Sequence, residues 1–148
     1  MKLSAMKRKL RSVLLIDDDG PTNYLHRLVL NEIDCTEQIH VFQSTEKALH
    51  FIAYGQPFDY PDKEEAADNL ILLDINMPRM DGWEFLAAYR QLPEGRKKKF
   101  VVVLLTTSLN PDDKATAAKV NEVKGFYNKT LTSQKLEDIL RLNFTGYF

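Results

Sequence analysis

The chain has 148 residues, 44% hydrophobic and 28% charged, with a formal net charge of -1. That is enough chain to bury a core, in the balance of an ordinary globular domain. It excludes a global charge that would draw the chain to nucleic acid or membrane. The single cysteine, Cys35, excludes an internal disulfide, and no Cys/His cluster suggests zinc; a reducing, cytoplasmic compartment fits.

The start is locally basic, with Lys2, Lys7, Arg8, Lys9 and Arg11. A secretory signal would follow such charge with a long apolar stretch and a small-residue cleavage site. Here the apolar stretch is Val13 to Ile16 and runs into Asp17-Asp18-Asp19. It reads as a strand, with residues 1–11 a solvated lead-in; nucleic-acid binding is the remote alternative.

Short apolar runs then alternate with helical patterns. After Val13–Ile16, Leu25, Leu28, Val29 and Ile33 recur at helical spacing. Ile39–Phe42 is a second strand. Ser44 is placed to cap a helix carrying Ala48, Phe51 and Ile52, with Lys47 outside. Residues 54–69 form a long connection with two prolines, five acids and Lys63, read as a surface loop in preference to a partner contact. Leu70–Leu73 is a third strand, and Phe85, Leu86 and Tyr89 mark the next helix. Phe100–Leu105 is the strongest strand signal. Pro111 opens a helix whose first turn holds Asp112 and Asp113, a favourable placement for the helix dipole. Gly125–Tyr127 is a fifth strand, and Ser133 caps a last helix carrying Leu136, Ile139 and Leu140. The domain spans 12–142. Residues 143–148 form an aromatic tail, read as packing on its own domain, with a homodimer contact as the alternative.

Five strands alternating with helices predict right-handed crossovers and a parallel sheet covered on both faces. Strands that are continuously apolar, not alternating, fit burial on both sides. Ligands of such sheets bind beyond the carboxyl ends of the strands. Asp17-Asp18-Asp19 follow the first strand, Asp74 the third, Thr106-Thr107-Ser108 the fourth and Lys129 the fifth. Clustered carboxylates repel and need a cation, and oxygen ligands select a hard one such as Mg²⁺. A carboxylate is also a competent nucleophile towards phosphorus, and phosphoryl transfer mostly requires positioning and charge neutralisation. Each residue alone has a plain reading: a solvated turn, a helix cap, an exposed lysine. Their joint occurrence at four strand ends carries the argument.

These residues resemble the receiver domains of response regulators, from about Ser12 to Leu142. The run Leu72-Leu73-Asp74-Ile75-Asn76-Met77-Pro78-Arg79-Met80-Asp81-Gly82 is highly specific, and Leu15-Ile16-Asp17-Asp18-Asp19 and Leu105-Thr106-Thr107-Ser108 agree with it. The likeness is to single-domain, chemotaxis-Y-like receivers, including those found beside phytochrome-type kinases. It implies a flavodoxin-like, doubly wound α/β fold with sheet order 2-1-3-4-5 and five helices. It implies that Asp74 accepts a phosphoryl group from a sensor histidine kinase or phosphotransfer protein. Asp17, Asp18, Asp74 and the Asn76 backbone carbonyl would hold Mg²⁺. Thr107, preferred over Thr106 because the small Ser108 follows it, would be the switch hydroxyl. Lys129 would bind a phosphoryl oxygen and Phe126 would be the switch aromatic, altering a protein-binding face for a downstream target. Leu109 and Asn76 would flank the path of the attacking water. Leu109 cannot orient water, so slow loss of the phosphoryl group is expected, faster in Leu109→Glu.

The chain leaves the family pattern at one place. Proline normally follows the lysine in a cis peptide, and here Thr130 follows. Either the cis bond persists without proline, or it is trans and the loop shifts. Two competing readings remain. A haloacid-dehalogenase-like phosphatase would need a second carboxylate two residues after the nucleophile, where Asn76 stands. A pseudo-receiver would lack the acids, hydroxyl or lysine, all of which are present.

Overall fold

A computed structural model describes residues 6–55, 67–77 and 79–148; most of the long acidic connection, and Pro78, lie outside the described residues. Five parallel strands form one sheet in the order β2-β1-β3-β4-β5. These are β1 (Leu10–Ile16), β2 (Thr36–Phe42), β3 (Asn69–Leu73), β4 (Phe100–Thr106) and β5 (Val123–Asn128). The central strands β3 and β4 are buried along their whole length, as both-face burial requires. One face of the sheet contributes Val13, Leu15, Leu70, Leu72, Val103 and Leu105 to one core. The other contributes Leu14, Ile16, Ile71, Leu73, Val102 and Leu104 to a second.

The helices are α1 (Gly20–Ile33), α2 (Thr45–Tyr54), α3 (Gly82–Tyr89), α4 (Glu94–Lys97), α5 (Pro111–Ala118) and α6 (Ser133–Asn143), followed by a 3₁₀ turn, Thr145–Tyr147. Among the described residues there are six helices, not five, because the single turn α4 forms between α3 and β4. Pro93 precedes it, Glu94 sits in its first turn, and Arg96 and Lys97 sit in its last, each at the dipole end that favours it. Four residues are too few for an apolar period to reveal.

Caps set the helix starts. Ser44 accepts from Lys47 N at the head of α2, and Asn110 accepts from Asp112 N ahead of Pro111. The last helix is capped by Thr132, one place before the expected Ser133, and Thr132 accepts from Lys135 N; Ser133 is the first helical residue. Asp81 and Glu84 form a reciprocal capping box on α3.

The inner face of α1 differs from the apolar stripe read from the sequence. Asn23, His26, Leu30 and Ile33 are the buried residues, while Leu25 and Leu28 are 49% and 48% exposed. The aromatic tail lies in the core: Phe144 and Tyr147 are buried, Lys7 N donates to Tyr147 O at 2.6 Å, and Arg8 lies over the Tyr147 ring. Among the described residues no helix is long and apolar enough to cross a membrane.

Candidate functional site

Strand register builds the site. Ile16 pairs with Leu73, so the residues that follow them, Asp17 and Asp74, emerge side by side about one strand spacing, ~4.8 Å, apart. The ladder continues through them: Asp74 N donates to Ile16 O at 2.9 Å and Asp17 N to Phe42 O at 3.0 Å. On the far side Thr106 pairs with Asn128, so Lys129 follows at the same edge, its N–H donating to Thr106 O at 3.0 Å. The turn after β3 packs against the start of α3 at Gly82. A Cβ there would lie 2.4 Å from Ile75 Cα and 2.9 Å from Asp74 O, so only glycine allows that approach.

Asp17 and Asp74 are each 4% exposed. Asp17 Oδ1 accepts from Asp19 N at 2.9 Å, and Asp74 Oδ1 from Asn76 N at 3.1 Å. Lys129 Nζ bridges the remaining oxygens, 2.5 Å from Asp17 Oδ2 and 3.1 Å from Asp74 Oδ2. Asp18, exposed at the rim, completes a triad in which one carboxylate oxygen from each of Asp17, Asp18 and Asp74 lies within 4.8 Å of the others. Three carboxylates against one ammonium leave a net negative, all-oxygen site, the donor set a hard divalent cation favours. The residues present therefore fit such an ion.

The electrostatics follow from burial. Desolvation raises the Asp74 pKa above the ordinary carboxylate value, outweighing the Asn76 N–H and the Lys129 charge, which pull it down. Burial also opposes the Lys129 charge, but the hydrogen bonds and charges of Asp17 and Asp74 prevail and hold its pKa above the ordinary lysine value.

Two residues expected at the site, Thr107 and Leu109, are exposed, whereas Thr106 is fully buried. The Thr106 Oγ1 accepts from Asn76 Nδ2 at 3.3 Å and from Ser108 N at 3.1 Å, so the hydroxyl beside the Asp74 turn belongs to Thr106. Side chains alternate along a strand, and the two threonines cannot both face the site. Leu109 shifts with them: it is 93% exposed, one residue beyond Ser108, whose hydroxyl donates to Asp113. Phe126 is partly buried against the second core and lines a groove with Ser108, Asn110, Pro111 and Lys114. The Lys129–Thr130 peptide is cis.

Two further residues escaped the sequence reading. Asn23 Nδ2 donates to Asp17 O at 2.8 Å, and His26 Nε2 accepts from Leu131 N at 3.2 Å. Their signal was the 3-4-3 spacing of positions 23, 26, 30 and 33, which shares one helical face.

The response regulator receiver domain family model matches residues 13–141. The chain belongs to the response regulator receiver domain family. As a receiver of two-component signalling it is similar to response regulator Rcp1 of Synechocystis sp., 31% identical over 130 residues, covering 88% of this chain and 82% of that protein. A crystal structure of a two-component response regulator from Cytophaga hutchinsonii superposes with a TM-score of 0.78 at 31% identity, covering 93% of this chain and 99% of that one. The Mn(2+)-bound form of response regulator Rcp1 superposes with a TM-score of 0.63 at 26% identity, covering 88% and 89%. Receivers are not classical enzymes, and family membership removes the phosphatase alternative.

Proposed function

We propose that this receiver accepts a phosphoryl group on Asp74 from the phosphohistidine of a sensor kinase or phosphotransfer protein in the cytoplasm. The observation that carries the reading is the buried Asp74 carboxylate, bridged by Lys129 to Asp17 with Asp18 at the rim. A carboxylate oxygen of Asp74 attacks phosphorus and the donor P–N bond breaks. Its electron pair stays on the histidine nitrogen, which takes up a proton, and an acyl phosphate forms. Asp17, Asp18, Asp74 and the Asn76 carbonyl are the residues that would hold Mg²⁺. Bound there, Mg²⁺ would neutralise charge on the transferring phosphoryl oxygens.

Lys129 would leave its bridge to the free carboxylates and pair with a phosphoryl oxygen. The Thr106 hydroxyl, not that of Thr107, would donate to another. Displacing Thr106 from Asn76 and Ser108 would open space for Phe126 to turn inward, shifting a pre-existing equilibrium of the α5–β5–α6 face towards a partner-binding form. The downstream target is a protein that reads this face.

Acetyl phosphate or fluoroberyllate with Mg²⁺ tests the reading. The parent should take up the label, and Asp74→Asn should not. A parent protein that binds neither is a pseudo-receiver, and the proposal fails.

A further inference from the structure

The buried polar face of α1 touches both halves of the acidic site from behind. Asn23 Nδ2 holds the backbone carbonyl of Asp17 at 2.8 Å. One turn on, His26, only 2% exposed, accepts the Leu131 N–H on Nε2 at 3.2 Å. Leu131 lies two residues after Lys129. The lysine segment is thus tied on both sides, by Lys129 N to Thr106 O and by Leu131 N to His26. Outside, Lys135 Nζ adds bonds to Asn128 O at 2.8 Å and Thr130 O at 3.0 Å.

A histidine that served only to fill space could be replaced by leucine, since a buried polar ring costs stability unless its hydrogen bond is made. Here the bond is made to a backbone N–H that is itself buried beneath the site. Only the neutral ring can accept it; an imidazolium donates from both nitrogens and would orphan the Leu131 N–H. Burial favours the neutral ring by lowering its pKa, with Asp17 opposing and Lys129 and Lys135 reinforcing that shift.

We propose that His26 is a positioning residue for phosphoryl binding: through the Leu131 N–H it holds the Lys129 ammonium at the height where it can leave Asp17 and Asp74 for a phosphoryl oxygen. This rests on the role assigned above to Lys129, and the test separates the two. Fluoroberyllate and Mg²⁺ affinities are measured for the parent, His26→Gln, His26→Phe, Lys129→Ala and the two double variants with Lys129→Ala. His26→Phe should weaken fluoroberyllate binding about tenfold, the scale of one well-made hydrogen bond. Its Mg²⁺ affinity should stay within about twofold, because the carboxylates are untouched. His26→Gln, which keeps an acceptor near the Nε2 position, should recover most of the loss. In the Lys129→Ala background both substitutions should be silent.

A loss that persists without Lys129, or a Gln variant as weak as Phe, overturns the proposal. If Lys129→Ala alone binds fluoroberyllate like the parent, the lysine role falls and the proposal with it. Should His26→Phe not fold, the pH dependence decides. Fluoroberyllate affinity of the parent should fall with the same midpoint as the His26 ring resonance, and His26→Gln should lack that step. A Gln variant that retains the step contradicts the proposal.

Discussion

The two edges of the sheet both bury polar groups, but they treat them in opposite ways. At the amino edge, Ser12 Oγ donates to Asn69 Oδ1 at 2.5 Å, and Asn69 Nδ2 donates to Asp68 Oδ1 and Lys99 O, both at 3.0 Å. Arg11 Nε pairs with Asp68 at 3.2 Å, and the Tyr147 hydroxyl from the tail donates to Ala67 O at 3.3 Å. There each of these buried side chains is held by at least one partner, and the Asp68 carboxylate is paired with a cation. At the carboxyl edge, Asp17 and Asp74 share the ammonium of Lys129, and Asp18 adds a third carboxylate at the rim. A satisfied polar network fixes a fold. An under-compensated cluster of like charge stores an affinity for a cation and an anionic group. The first edge builds the domain, and the second gives it something to do.

The sharpest way to break this contrast is to exchange the consequences of mutation at the two edges. Asp74→Asn is expected to lower phosphoryl uptake by at least about 100-fold, some 2.7 kcal/mol of barrier. It should not lower the melting temperature, because it relieves repulsion between buried acids. Asn69→Leu should do the reverse: it removes the acceptor of Ser12 Oγ and a donor to Asp68 Oδ1, while the Lys99 carbonyl keeps the backbone N–H of residue 69, and costs about 1–3 kcal/mol of stability, with phosphorylation rate per folded molecule unchanged. Paired thermal melts and acetyl phosphate labelling check both. A destabilised Asp74→Asn with a stable Asn69→Leu would erase the distinction.

Metal binding sharpens it further. Mg²⁺ at about 100 times its dissociation constant should stabilise the parent by about 2.7 kcal/mol. Asp18→Asn should abolish most of that gain while leaving metal-free stability nearly unchanged, since Asp18 is exposed. Chemical denaturation with and without Mg²⁺ reads the difference; equal gains in both proteins would place the ion elsewhere.

The choice between the threonines is a smaller effect. Thr106→Val should slow phosphorylation about tenfold, and Thr107→Val and Leu109→Glu should change formation and decay rates less than about twofold, as expected of exposed side chains. The reverse order would restore the sequence-based expectation.

The mildest effect concerns acid. His26 has a pKa below its ordinary value of about 6.5 because of burial. The unfolded chain therefore binds more protons, so this contribution to stability is present above that value and is lost as pH falls through the lower folded pKa. The loss should be reduced in His26→Gln, measured by denaturation over the acid range.

Much of the site was legible because strand ends are. An apolar run that stops at Asp17 or Asp74 marks its own terminus, Lys129 stands just past the shorter fifth strand, and a parallel sheet brings such termini to one edge. What was not legible has a common physical origin. A strand buried on both faces, such as Phe100–Thr106, has no polar–apolar alternation, so its phase is unmarked and Thr106 could not be told from Thr107. On α1 the signal was inverted: Leu25 and Leu28 face outward while Asn23 and His26 turn in. The inward face there is chosen by hydrogen bonds to the Asp17 carbonyl and the Leu131 N–H, which apolar periodicity does not report. The Lys129–Thr130 bond, which the sequence left between two isomers, is cis.

The central claim is that the surplus carboxylate at the carboxyl edge is a phosphoryl acceptor. Incubation with acetyl phosphate and Mg²⁺, followed by borohydride reduction of the acyl phosphate and peptide mass spectrometry, tests it directly. The expected result is one modified residue per chain, Asp74, lost in Asp74→Asn and without Mg²⁺. Absence of modification in the folded parent, or modification at Asp17, Asp18 or any other residue, would contradict it.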